Sequence, residues 1–201
     1  MSWLKNLRSP SAGQSSASLE TTITYMRMDR HSVPAAVKPA NINAALLVAN
    51  KPPLHFYRYL YFHVGIHWNW EARLRLTDRE LTKLIHADTC EITTLYVDGA
   101  PAGFFEVNRS DPDIVDLAYF GMMPHVHGMG LGEWFLAQAI ATCWSSDPGP
   151  SAITVNTCTL DHPAALPLYQ KHGFKPYRQA KGNVRPLSEM EKVALVMGGT
   201  A

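Results

Sequence analysis

Three glycines at alternate positions, Gly128, Gly130 and Gly132, separate an apolar stretch from an amphipathic one in the segment MMPHVHGMGLGEWFL. The preceding residues, DIVDLAYFGMM, are typical of a strand, and apolar residues recur at a helical period from Gly132 to Trp144. A glycine-rich turn from a strand into a helix exposes unpaired backbone N–H groups and the positive end of the helix dipole. The segment therefore predicts a phosphate-binding loop, with a tightly packed turn as the alternative.

The overall composition favours one folded domain and excludes several classes of protein. A chain of 201 residues with 46% hydrophobic and 17% charged residues can bury a sizeable core. Its net charge of +1 gives no general attraction to nucleic acid or to a membrane, and no apolar run reaches the roughly 18 residues of a membrane span. The three cysteines are widely spaced and no secretory leader precedes them, which predicts a cytoplasmic location with free thiols.

The order of the predicted elements indicates a mixed α/β fold. Strands are predicted at TTITYMRM, at EITTLYVDGAPAGFFEVNR (two strands joined by a turn at Asp98-Gly99), at DIVDLAYFGMM, at AITVNTCTL and near 175–178. Helices are predicted at NINAALLVA, at TDRELTKLIH with a capping box of Thr77 and Glu80, from Gly132 to Trp144, and at HPAALPLYQKHGF. This order predicts a single sheet with helices on both faces.

Two motifs in the second half of the chain resemble those of the GCN5-related N-acetyltransferase (GNAT) family, over roughly residues 21–180. The family's acetyl-CoA loop, Arg/Gln-x-x-Gly-x-Gly/Ala, is matched by His127, Gly130 and Gly132. A later motif, Asn-x-x-Ala-x-x-Leu-Tyr-x-x-x-Gly-Phe, is matched by His162, Ala165, Leu168, Tyr169, Gly173 and Phe174. His127 replaces the usual Arg or Gln, so one charged contact to the phosphates is lost or becomes pH-dependent, while His162 replaces the usual Asn and can still donate or accept one hydrogen bond.

The resemblance implies a mixed, mostly antiparallel sheet in which two neighbouring parallel strands, DLAYFGMM and AITVNTCTL, splay apart around the pantetheine arm of acetyl-CoA. It implies acetyl-CoA as the cosubstrate and no metal. The expected cosubstrate contacts are Met122, Met123, His127, Gly128, Met129, Gly130, Leu131, Gly132 and His162.

The resemblance also implies catalytic residues. Tyr169, at the family's Leu-Tyr position, is expected to protonate the CoA thiolate, because a phenol of pKa near 10 can protonate a thiolate. For the general base, Asp116 is expected to lie on the same strand face as Met122, six residues later. Glu106 on the preceding strand is the rival, and Asp161 and His162 are weaker candidates.

The aromatic segment from Phe56 to Arg73 is expected to form the acceptor wall. Tyr61, Trp68 and Trp70 are the candidate substrate contacts, and the alternative is that these side chains pack in the core. If the segment is a helix, Trp68 and Trp70 cannot face the same way, so one is expected inside and one toward the cleft. Arg73 is expected to hold a carboxylate, either of the acceptor or of the protein.

These expectations describe an N-acetyltransferase that moves an acetyl group directly to a primary amine in a ternary complex. The acceptor is a small molecule or a peptide, with no nucleic-acid or membrane partner, and a homodimer is left open. Predicted boundaries are a polar arm at 1–20, the acetyltransferase domain at 21–180 and a tail at 181–201. Two alternatives stay open: a non-catalytic acyl-CoA-binding or regulatory protein on the same fold, and a metal-binding protein using His125, His127 and His162 with Cys158 or His172.

Overall fold

A seven-stranded sheet forms the centre of the computed structural model, which describes residues 18–29 and 36–196. The predicted N-terminal arm lies largely outside the described residues, as do residues 197–201 of the predicted tail. The strands are β1 (Leu19–Asp29), β2 (Ala44–Val48), β3 (Cys90–Val97), β4 (Ala100–Asn108), β5 (Ile114–Met122), β6 (Ala152–Cys158) and β7 (Lys175–Val184). The helices are α1 (Leu54–Gly65), α2 (Asp78–Ile85), α3 (Leu131–Trp144), α4 (Ala165–Lys171) and α5 (Glu189–Val196).

The strands lie in the order β2-β3-β4-β5-β6-β1-β7, and every neighbouring pair is antiparallel except β5 and β6. The parallel pair is short, because only Ile114–Asp116 of β5 align with Ala152–Thr154 of β6. Beyond these residues the two strands separate. The mixed, mostly antiparallel sheet with splayed parallel strands is therefore confirmed.

Helices cover both faces of the sheet, as predicted. One core cluster joins Phe135 and Ile140 of α3 and Tyr169 of α4 to the sheet, while a second joins Tyr57 of α1 and Leu81 of α2 to the opposite face. Both clusters are apolar and closed to solvent, which is the main stabilising contribution in a domain of this size. Within the described residues, no helix is both long and apolar enough to cross a membrane.

Two local predictions are confirmed by backbone geometry. Asp98 and Gly99, between β3 and β4, have φ values of 49° and 82°, the two positive angles that a tight two-residue hairpin needs. At the start of α2, the Thr77 side chain accepts a hydrogen bond from the Glu80 backbone N–H, and the Glu80 carboxylate accepts one from Thr77 N–H at 2.9 Å. This reciprocal pair completes the capping box.

One predicted helix is wrong. The segment NINAALLVA contains strand β2, whose residues Ala44–Val48 pair antiparallel with Val97–Thr93 of β3 at the edge of the sheet. A short apolar run has no period that separates a strand from a buried helix. Pairing with β3, about fifty residues later in the chain, decides the conformation here.

A bulge in β5 changes which residues share a face of the sheet. Glu106 of β4 aligns with Tyr119 and Val107 with Leu117, so Ala118 is an extra residue on β5. As a result Leu117 and Phe120, three residues apart, both pack in the first core cluster, and Tyr119 packs in the second. Residues before and after the bulge therefore do not follow one alternation.

Candidate functional site

A cavity of about 830 Å³ opens where β5 and β6 separate. Leu117–Met122 of β5 and Val155–Cys158 of β6 line it, together with the start of α3, part of α4 and the chain that follows α1. A gap between parallel strands leaves backbone N–H and C=O groups without strand partners, and an extended ligand can pair with such groups as an added strand does.

The segment from Gly128 to Gly132, called the glycine segment below, forms one rim of this cavity and leads into α3. Gly128 and Gly130 have φ values of +78° and +75°, a left-handed conformation that side chains rarely adopt. Gly130 is the N-cap of α3 without a side-chain capping bond, and Gly132 lies in the first turn. A Cβ at Gly132 would meet only Met122 Cε at 3.5 Å and Leu168 Cδ2 at 3.9 Å, so packing does not demand glycine there.

Two histidines adjoin this rim and face each other. The centroids of the His127 and His162 rings lie 5.7 Å apart, and the centroid of the Trp68 ring lies 4.8 Å from that of the His162 ring. The His127 Nε2 atom is hydrogen-bonded to the Met122 carbonyl at 3.0 Å, and His162 Nδ1 accepts the Ala164 N–H. In the part of the chain that the structure describes, no group of three His, Cys, Asp or Glu residues could hold a metal ion.

Tyr169 lines the cavity and is almost completely buried. Its ring packs edge-on against Phe120 and Phe174, at centroid distances of 6.3 Å and 5.9 Å. Burial raises the pKa of the Tyr169 hydroxyl well above its ordinary value, and the negative charge of Asp161 raises it further. The phenol therefore keeps its proton throughout the neutral range.

Buried tyrosines should make the protein sensitive to alkali. Burial raises the pKa values of Tyr57, Tyr61, Tyr119 and Tyr169, so the folded chain keeps phenol protons that the unfolded chain loses above about pH 10. The buried phenols should not affect the free energy of unfolding below that pH and should lower it as the pH rises above it. Denaturant unfolding between about pH 8 and 11 measures this effect. Tyr61→Phe should make the decline shallower and Tyr177→Phe, at a 57% exposed position, should not; equal slopes in all three proteins would contradict the explanation.

Asp161 lines the cavity directly after β6 and holds three hydrogen bonds. Its carboxylate accepts from the Trp70 indole N–H at 3.1 Å, from the Thr157 hydroxyl at 3.0 Å and from the Cys158 backbone N–H at 2.8 Å. These contacts join the end of β6 to the chain that follows α1. The carboxylate is thereby fixed between the two sides of the cavity.

One wall of the cavity is aromatic. The Tyr61, Trp70 and Tyr119 rings pack together with centroid distances of 5.0–5.3 Å, and all three side chains line the cavity. Trp68 lines it too, and of the two tryptophans only Trp70 also packs against the second core cluster. The chain is not helical through both residues: Asn69 between them has a left-handed φ of 57°.

Close approaches behind this wall require two glycines that the sequence patterns did not single out. A Cβ at Gly65 would lie 2.2 Å from Trp70 Cβ, and a Cβ at Gly121 would lie 2.4 Å from Val64 Cγ1. Glycine at the end of α1 therefore lets the Trp70 side chain fold back over the helix. For Gly65, the only indication of this close approach in the sequence was the presence of a glycine within an aromatic segment.

Glu106 and Arg73 form a buried ion pair beneath the aromatic wall. Arg73 Nη2 donates to Glu106 Oε1 at 2.6 Å, and the Tyr57 hydroxyl donates to Oε2 at 2.5 Å. Only 2% of the Glu106 side chain is exposed, and neither Glu106 nor Arg73 lines the cavity. Arg73 therefore holds a carboxylate of the protein itself, the second of the two expected alternatives.

Asp116 does not lie on the same face as Met122, contrary to the sequence expectation. The bulge at Ala118 reverses the alternation: Leu117 and Met122 both pack against the first core cluster, so Asp116, next to Leu117, lies on the opposite face. Its carboxylate accepts a hydrogen bond from the Thr154 hydroxyl at 2.8 Å and does not line the cavity. Burial raises the pKa of this carboxyl, and the Thr154 bond opposes that shift.

Most of the other predicted contacts come together around the cavity. Met122, His127, Gly128, Gly130, Leu131, Gly132, His162, Tyr169, Tyr61, Trp68 and Trp70 all line it. Met123 does not, because its N–H donates to the Ala102 carbonyl and its side chain is buried in the second cluster. Met129 also lies outside the lining and is exposed. Sequence patterns missed Glu71 and Tyr119, which belong to the wall.

Comparison with known proteins agrees with this arrangement. The model of the acetyltransferase (GNAT) family matches residues 56–174, more than half of the chain. The chain belongs to the GNAT family. The matched region runs from α1 to the end of the second motif and includes the glycine segment, both splayed strands and Tyr169. None of the curated proteins matches this sequence.

Solved GNAT structures share the fold at low sequence identity. A GCN5-related N-acetyltransferase from Kribbella flavida is 14% identical with a TM-score of 0.55, over 85% of this chain and 60% of that one. Another from Sphaerobacter thermophilus is 14% identical with a TM-score of 0.54, over 85% and 54%. An aminoglycoside N-acetyltransferase in complex with CoA is 19% identical with a TM-score of 0.50, over 71% and 95%. This GNAT chain thus spans about 60% or less of the two longer proteins.

Proposed function

We propose that this GNAT protein is an N-acetyltransferase that transfers the acetyl group of acetyl-CoA directly to a primary amine in a ternary complex. The observation that carries the proposal is the position of Tyr169, a buried phenol in the cavity where β5 and β6 separate. The glycine segment stands at the same cavity, at the start of α3. A phosphate site and a proton donor thus share one cavity.

The pyrophosphate of CoA fits the start of α3. Gly128, Gly130 and Gly132 leave the backbone bare, and the first turn of the helix supplies N–H donors and a positive dipole end. Among the described lining residues there is no Lys or Arg, so the backbone has to provide most of the phosphate recognition. His127, hydrogen-bonded to the Met122 carbonyl, orders the turn between the splayed strand and the helix.

The transfer needs few catalytic groups. The acceptor's ammonium loses a proton to water, and its nitrogen attacks the thioester carbonyl carbon, so a C–N bond forms and the C–S bond breaks. Tyr169 Oη gives its proton to the departing sulfur and regains one from the solvent, while the amide nitrogen releases its second proton. We propose no proton-accepting role for Asp116 or Glu106, because neither lines the cavity. Holding the two reactants together supplies much of the rate.

The proposal is tested by CoA binding and by release of free CoA. Acetyl-CoA or CoA at about 100 times its Kd should stabilise the folded protein by about 2.7 kcal/mol, and a panel of amines should release thiol from acetyl-CoA. Binding without turnover on any amine would favour the non-catalytic acyl-CoA-binding alternative. Lack of stabilisation at millimolar concentration would contradict the proposed function altogether.

Gly132→Ala should separate ligand binding from folding. The methyl group has room in the protein and replaces glycine inside a helix, so the free energy of unfolding should stay equal or rise by up to about 1 kcal/mol. The same methyl would occupy space next to the phosphates, and the Kd for CoA should rise about tenfold or more. Calorimetry and urea unfolding measure both quantities. Gly99→Ala, with φ +82° in the distant hairpin, is the control that should lose stability and keep CoA affinity. Unchanged CoA binding in Gly132→Ala would count against a pyrophosphate at this position.

A further inference from the structure

The charged groups of the cavity are of one sign. Among its described lining residues are the carboxylates of Glu71, Glu133 and Asp161 and no Lys or Arg side chain. Glu71 is paired with Arg75 at 2.6 Å and Glu133 with Lys171 at 2.5 Å, so the charges of these two are compensated. Asp161 forms no ion pair with any described residue.

Asp161 is also held in place. Its three donors, Trp70, Thr157 and Cys158, are all neutral, so they fix the carboxylate without cancelling its charge. A carboxylate has about four acceptor positions, and three are used here. One position and one full negative charge remain for a ligand in the cavity.

The surroundings of Asp161 are aromatic. Trp70, which bonds its carboxylate, packs on Tyr61 and Tyr119, and Trp68 packs against His162. Aromatic faces bury the apolar body of a ligand and attract a cation above the ring. An anionic acceptor beside Asp161 would find no lining Lys or Arg and would meet the charge of this carboxylate, whereas the phosphates of CoA are proposed to lie on the backbone N–H groups at the start of α3.

We propose that the acceptor is a cationic amine with an apolar or aromatic body and no carboxylate or phosphate, and that Asp161 binds its ammonium group on arrival. The inference rests on the proposed function, since it places the acceptor in the same cavity. It selects simple amines and excludes free amino acids and phosphorylated amines as good acceptors. Asp161 thereby determines specificity.

Binding of three matched ligands tests the acceptor class without relying on turnover. The full chain saturated with CoA is titrated in a calorimeter with phenethylamine, with phenylalanine, which adds a carboxylate, and with 2-phenylethanol, which lacks the charge. Phenethylamine should bind about tenfold tighter than either of the others, and more weakly as salt is raised. Equal or tighter binding of phenylalanine, or no binding of phenethylamine at millimolar concentration, would overturn the inference.

Two variants distinguish the effect of the Asp161 charge from the effect of its hydrogen bond to the Trp70 indole. Asp161→Asn should weaken phenethylamine binding about tenfold, remove its salt dependence and leave the Kd for CoA unchanged. Trp70→Phe removes the indole donor but keeps the carboxylate, so its effect should be smaller and salt dependence should persist. Equal, salt-independent losses in both variants would show that Asp161 only positions Trp70, and the inference would be wrong. Because these readouts are affinities, they are independent of acetyl transfer: the expected ligand preference without turnover would contradict only the proposed function.

Discussion

Tyr169→Phe should lower kcat by at least about 10²-fold while leaving the Kd for CoA and the free energy of unfolding nearly unchanged. A loss of that size corresponds to about 2.7 kcal/mol of transition-state stabilisation, which is typical of removing one proton donor. The substitution keeps the ring that packs between Phe120 and Phe174, so folding has little reason to change. Steady-state release of free CoA measures the effect, and calorimetry with CoA checks the affinity.

The pattern across kinetic constants separates a proton donor from a packing residue. A donor acts only as the thiolate leaves, so kcat and kcat/KM should fall together while KM for the acceptor stays constant. Tyr177→Phe is the matched control, since it removes an exposed hydroxyl from β7 and should leave both constants unchanged. If Tyr169→Phe kept turnover within about threefold, the assignment of Tyr169 as the acid would be wrong.

Local signals in the sequence predicted the parts of the fold that are decided locally. The left-handed glycines before α3, the Asp98-Gly99 hairpin and the Thr77–Glu80 capping box each depend on a few consecutive residues. Two motifs around Gly130 and Tyr169 then carried the resemblance that supplied the sheet with its splayed strands. These features could be predicted because residues at neighbouring positions determine them.

Contacts distant along the chain decided what the sequence could not predict. Strand β2 is a strand because it pairs with β3, and the bulge at Ala118 exists only in the register between β4 and β5. That one extra residue places Asp116 on the face opposite Met122. The prediction of a general base on the same strand face as Met122 is therefore wrong. Likewise, the Met123 N–H donates to the Ala102 carbonyl and so is not free to contact a ligand. No local sequence pattern reveals this partner.

Arg73→Met should destabilise the protein by about 3–5 kcal/mol, the largest change in stability that we expect from a single substitution of a charged residue. Methionine keeps the apolar length of the side chain but removes the cation beside Glu106, whose side chain is 2% exposed. Tyr57 would remain as a donor to that carboxylate, yet a neutral hydroxyl does not balance a buried charge. Urea unfolding at neutral pH measures the loss.

Two further variants show whether charge burial is the cause. Arg27→Met breaks the Arg27–Asp29 pair, in which the side chains are 38% and 80% exposed, and should change stability by less than about 1 kcal/mol. Adding Glu106→Gln to Arg73→Met removes the stranded charge and should recover a large part of the lost stability. A double variant no more stable than Arg73→Met would show that the guanidinium acts mainly through packing. That result would implicate its contact with the Tyr119 ring, where Arg73 Cζ lies 5.2 Å from the centroid. Tyr119 lines the cavity, so in either case the ion pair beneath the wall supports the surface on which the acceptor is proposed to lie.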